Sequence, residues 1–172
     1  LAFAFCFLSF RKAESKWTGR LSTYYIIGQT AFLTVILALR WSVSGHIPLS
    51  NGYETMLFMA WTVLVMTLAV MRKAPIFRAF GPIVSSLCML VATLATGSPQ
   101  VTPLMPVLQS PLLSVHVALV MMAYSLFAVV ALIAMRSIWL CRQGGSMEYE
   151  RLTALSRLLL YPAVALLAGG IF

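Results

Sequence analysis

Four stretches of this chain stay apolar for long enough to cross a bilayer, roughly residues 21–41, 54–71, 77–97 and 112–140. Two shorter apolar runs, 1–10 and 158–172, stand at the ends and read as partial spans. A hydrocarbon core about 30 Å thick takes about 20 apolar residues of helix, so each of the four long runs suffices by itself. None shows the strict polar–apolar alternation of a barrel strand. A backbone in lipid must satisfy its own hydrogen bonds, and a helix does so within one segment. The pattern predicts an all-α fold, a polytopic transmembrane helical bundle of about six segments with both terminal ones incomplete.

The polar breaks carry a second pattern. Arg11, Lys12, Lys16 and Arg20 fall in the first break, Arg72, Lys73 and Arg78 in the third, and Arg136, Arg142, Arg151 and Arg157 in the fifth. The breaks at 42–53 and 98–111 hold no Lys or Arg. Short cytoplasmic loops carry the basic excess of a membrane protein, so the odd breaks are expected inside and the even ones outside. Arg40 stands at the end of its run, where a long side chain can snorkel to the interface.

Composition narrows the picture. Of 172 residues, 61% are hydrophobic and 9% charged, against about a quarter charged in soluble domains. No separate soluble domain fits, and residues 1–172 read as one transmembrane domain. The net charge of +8 would suit nucleic acid if it formed one patch, but it is divided among three clusters at span ends, which excludes that partner and leaves membrane lipid. Cys6, Cys88 and Cys141 form no CxxC pair and read as packing residues. The chain opens on Leu1 and closes on Phe172 within an apolar run, so both ends are expected to be cut. Leu112–Cys141 would be about 45 Å long as a helix, more than the hydrocarbon thickness, and its basic end suits protrusion into the cytoplasm. Pro99, Pro103, Pro106 and Pro111 make the preceding loop stiff, with Pro111 suited to the first turn of the next helix.

Candidate chemistry is sparse. The chain has two histidines, and the charge pattern puts both outside. His116 follows Pro111 by five residues, so it lies about 7 Å into its helix, near the interface. From position alone it reads either as a metal ligand reached from outside or as a polar residue packed between helices. His46 lies in the polar stretch 44–54, where Gly45, Pro48 and Gly52 suit a folded turn and Asn51 or Ser50 suits the cap of a helix starting near Tyr53. Glu54 in that helix's first turn complements its dipole. The ten methionines are scattered through the apolar runs and read as packing. There is no Ser/His/Asp set, no phosphate-binding glycine loop and no carboxylate pair inside a span. A proton-driven transporter would be expected to bury an acid.

Two segments carry a resemblance. Arg40 through Met56, containing Ser44-Gly45-His46-Ile47-Pro48-Leu49-Ser50-Asn51-Gly52-Tyr53-Glu54, resembles the outer loop and helix start of the cytochrome c assembly family, in the branch that includes the cytochrome c synthase of system II. Leu108 through Val117, containing Gln109-Ser110-Pro111 and His116, resembles it also, as does Ala123-Tyr124-Ser125. The run from Arg157 through Phe172 is similar to the helix that leads into the family's tryptophan-rich external signature. The resemblance implies a fragment of a longer assembly domain, truncated before that signature. It implies a role in presenting haem on the outer face for covalent attachment to apocytochrome c, with haem b as a transient substrate. His116 matches the first of the family's two external histidines, the axial ligands of haem iron; His46 matches no ligand. The expected partners are haem, apocytochrome c and a companion biogenesis subunit or fused domain. The intact protein would form part of a cytochrome c synthase, the fragment alone would be inactive, and the expected location is a bacterial inner membrane with His46 and His116 on the periplasmic side. The alternative is a membrane transporter component for another small solute.

Overall fold

In the computed structural model, residues 16–72, 77–95, 111–142 and 146–171 are described. They form five helices: α1 (Lys16–Ser44), α2 (Gly52–Val70), α3 (Phe77–Ala95), α4 (Pro111–Arg142) and α5 (Ser146–Ile171). There are no strands among the described residues, and all five helices are long and apolar enough to cross a membrane. The expected span at 1–10 and the proline-rich loop at 99–110 lie outside the described residues, though Pro111 does open α4.

The helices group into two compact units, Leu1–Ser114 and Val115–Phe172. In the first, α2 packs most extensively on α3, and both touch α1. α2 is the most enclosed helix, burying Leu57, Ala60, Val63, Leu64 and Thr67. Its approach to α3 is close: a methyl group on Gly81 would overlap the Thr67 side chain, with Cγ2 at 2.6 Å and Cβ at 2.7 Å. α1 buries Ser22, Ile26, Leu33 and Leu37, the spacing of a single helix face. Its other faces expose Phe32, Val35, Leu39 and Val43, a surface suited to hydrocarbon rather than water. The Trp61 indole donates to Thr34 Oγ1 at 2.8 Å, tying α2 to α1.

Several hydroxyls within the helices are satisfied internally. Thr30, Thr62 and Thr67 donate to the carbonyls of Ile26, Phe58 and Val63, four residues back, and Ser125 and Ser137 do the same in α4. Such bonds let a polar residue enter a nonaqueous environment without an unpaired donor.

In the second unit α4 and α5 meet near both ends. Arg136 Nη2 lies 4.0 Å from Glu148 Oε1, and Gly170 packs on Val120 and the His116 carbonyl. α5 differs from the apolar run expected at 158–172, since it begins at Ser146. The reason is amphipathic: Leu152, Leu155, Leu159 and Ala163 are buried on one face, so the helix extends through a segment whose charged face lowers its mean hydropathy. Arg151 and Arg157 are therefore helical rather than in a loop, and Arg136 lies within α4, its guanidinium 4.4 Å from the Trp139 ring centroid. α4 has 32 residues, about 48 Å of helix. Cys88 is half-buried, as a packing residue would be, while Cys141 is exposed near the end of α4.

Candidate functional site

The loop between α1 and α2 is built from side-chain chemistry. α1 ends as Gly45 takes φ of +70°, a left-handed conformation that glycine adopts without steric cost. Its amide still donates to the Trp41 carbonyl at 2.9 Å. Ser44 Oγ then bridges the turn, donating to the His46 carbonyl at 2.9 Å while receiving the His46 amide at 3.4 Å. The His46 ring is half-buried, with Nδ1 at 3.0 Å from the Ile47 carbonyl. A carbonyl can only accept, so this contact places the proton on Nδ1.

Past the buried Pro48 and Leu49, Asn51 caps α2 by accepting the Glu54 amide at 2.9 Å. Of the two caps that the sequence offers, Asn51 is used; Ser50 has another task. Glu54 is fully buried. Its carboxylate accepts from the Ser50 amide at 2.9 Å and the Ser50 hydroxyl at 2.7 Å on one oxygen, and from Arg40 Nη1 at 3.1 Å on the other. The Arg40 guanidinium also lies 4.7 Å from the Tyr53 ring centroid. Arg40 thus turns inward to an acid and an aromatic face instead of snorkelling, and Glu54 does more than complement a helix dipole. The clue in the sequence was an arginine and a glutamate bracketing one short loop.

His116 lies in α4 with its side chain exposed. Both readings open from its position, a metal ligand and a polar residue packed between helices, concern a side chain that is exposed among the described residues. The main chain at that turn lies close to α5, where a Cβ on Gly170 would come within 3.5 Å of the His116 carbonyl and 2.8 Å of Val120 Cγ2. His46 belongs to the first unit and His116 to the second. Among the described residues no three His, Cys, Asp or Glu side chains gather as a metal cluster.

Comparison with known proteins matches residues 49–172 to the family model described as cytochrome C assembly protein. The match takes in Ser50, Asn51, Glu54, His116 and Gly170 and begins just after His46. A protein of Synechococcus sp. (strain CC9311) named cytochrome c biogenesis protein CcsA is 35% identical over 131 residues, 74% of this chain and 43% of that relative. Proteins of the same name from Trieres chinensis and Chlorella vulgaris are 37% and 35% identical over 117 residues, covering 63% and 62% of this chain. The chain spans less than half the length of these relatives. Five helices able to cross a bilayer among the described residues, in a chain whose matched region carries both the Asn51–Glu54 helix start and His116, describe a multi-pass membrane protein, and this chain belongs to the cytochrome c assembly protein family.

Proposed function

We propose that the chain is the part of a cytochrome c biogenesis protein that presents haem for covalent attachment to apocytochrome c, with His116 as an axial ligand of the haem iron. The observation that carries this reading is an exposed imidazole within the family-matched region, on a helix whose main chain is held by a neighbour at that turn. A neutral imidazole offers one nitrogen lone pair to iron, and the protein's part is to hold it at a fixed place. Haem, in the b form, is the substrate: apocytochrome thiols add across its vinyl groups, and the chain's residues bind and orient it. One axial ligand comes from this segment. The second comes from a companion subunit or a further part of the same protein, and residues 1–172 act as one membrane domain within that whole.

The charge pattern supports an orientation with Arg20, Arg72, Arg78, Arg142 and Arg151 on the cytoplasmic side of a bacterial inner membrane and His46 and His116 on the periplasmic side. The His46 loop, stiffened by its internal bonds, then stands on the face where haem is presented. A proton-driven transporter would also bury an acid, and Glu54 is buried. That carboxylate, however, is held by Arg40 and Ser50 at a helix start, which is a structural arrangement and favours no second reading.

The test is an absorption spectrum of the intact protein, purified in detergent after expression with haem supplied, beside its His116→Ala variant. A haem band in the first that is lost or shifted in the second is expected. No haem in either preparation would overturn the proposal.

A further inference from the structure

Gly169 and Gly170 are consecutive in α5 but stand in opposite surroundings. A Cβ on Gly169 would meet nothing within 4 Å. A Cβ on Gly170 would lie 2.8 Å from Val120 Cγ2, 3.4 Å from the Val120 amide nitrogen and 3.5 Å from the His116 carbonyl oxygen. Gly170 is buried and Gly169 exposed. Glycine inside a helix is less favourable than alanine. At Gly170 the close approach of two helices accounts for it.

The neighbour that blocks a side chain there is itself stiff. Val120 is β-branched and in a helix is held to essentially one χ1 rotamer, so its methyl does not swing aside. An added methyl on α5 must be accommodated by moving α5 away from α4. The part of α4 that would lose its support is the turn from His116 to Val120, two residues four apart and so on the same helix face.

We propose that Gly170 is a positioning residue for His116: by lacking a side chain it lets α5 close against the turn that carries the imidazole, and so sets the depth and direction from which His116 meets haem iron. This rests on the haem reading of His116. Groups that orient a metal ligand without touching the metal are worth about 10–100-fold in affinity, and the packing of α5 beneath His116 is such a group.

The experiment uses the intact, haem-loaded protein and three variants: Gly170→Ala, Gly169→Ala and the double Gly170→Ala with Val120→Ala. Haem release is followed by transfer to apomyoglobin, and the Soret position and reduction potential of the retained haem are recorded. Gly170→Ala is expected to release haem about 10-fold faster with a shifted Soret band, while Gly169→Ala behaves as wild type. The double variant is expected to recover, because its remaining neighbours at 3.4 and 3.5 Å are at ordinary contact distance. Wild-type behaviour of Gly170→Ala, or a double variant as impaired as the single, would overturn the inference. Should Gly170→Ala fail to fold, the double variant against Gly169→Ala decides by the same readouts. Absence of haem from the wild type would overturn the haem reading itself, and this inference with it.

Discussion

Replacing Arg40 by Met tests whether the pair at the start of α2 is a structural unit. Glu54 is fully buried and the Arg40 side chain is 14% exposed, so water can do little to replace the lost guanidinium. Removing one member of a buried pair costs about 3–5 kcal/mol, because the remaining charge is left uncompensated. Here the lower end applies, about 3 kcal/mol, since the two bonds from Ser50 to the carboxylate survive. Removing both charges, as Arg40→Met with Glu54→Gln, keeps an acceptor for Ser50 and leaves no orphaned ion. That double variant is expected within about 1 kcal/mol of wild type. Unfolding in mixed micelles of rising SDS fraction, followed by tryptophan fluorescence, gives the free energies for the cycle. A double variant as unstable as Arg40→Met would refute the argument, since the cost would then come from lost arginine packing and not from a stranded carboxylate.

The other expectations are simpler. Gly81→Val should destabilise the intact protein by about 1–3 kcal/mol through overlap with Thr67, read in the same micelle titration, whereas Gly28→Val, which has open space, should not. Asn51→Ala should cost about 1 kcal/mol by removing the cap of α2, and Asn51→Asp should restore it. In a cysteine-free background, a cysteine at Ser42 should react with a membrane-impermeant maleimide in whole spheroplasts and one at Arg72 only after permeabilisation; the reverse would invert the proposed orientation.

The spans were legible because hydropathy and loop charge are properties of single segments. Four runs became α1 to α4 with boundaries moved by a few residues, and Asn51 was readable as a cap because capping is a local bond. What escaped the sequence was contact between segments. Arg40 and Glu54 are 14 residues apart, and although they flank one short loop, their own neighbourhoods do not show that α1 and α2 bring the two side chains together. α5 was underestimated for a related reason: its first turns carry Glu148, Glu150 and Arg151 around a buried leucine face, so an average over the segment hides a helix that its periodicity reveals. The difference between Gly169 and Gly170 depends wholly on where Val120 lies. His116 stands out in the sequence by its placement after Pro111 and by its motif, while its exposure depends on the helices around it.

The Arg40–Glu54 pair also bears on how the chain is made. Arg40 lies near the end of α1 and Glu54 in the first turn of α2, so the arginine leaves the ribosome before its partner exists. At about 5–20 residues per second, the step of 14 residues from one to the other takes about 1–3 s to synthesise. For that interval α1 carries an uncompensated cation that opposes its settling into lipid. Neutralisation arrives with the first turn of α2, so the two helices are better suited to enter the bilayer as a hairpin than one after the other. The loop containing His46, closed by its own hydrogen bonds, is then the turn of that hairpin.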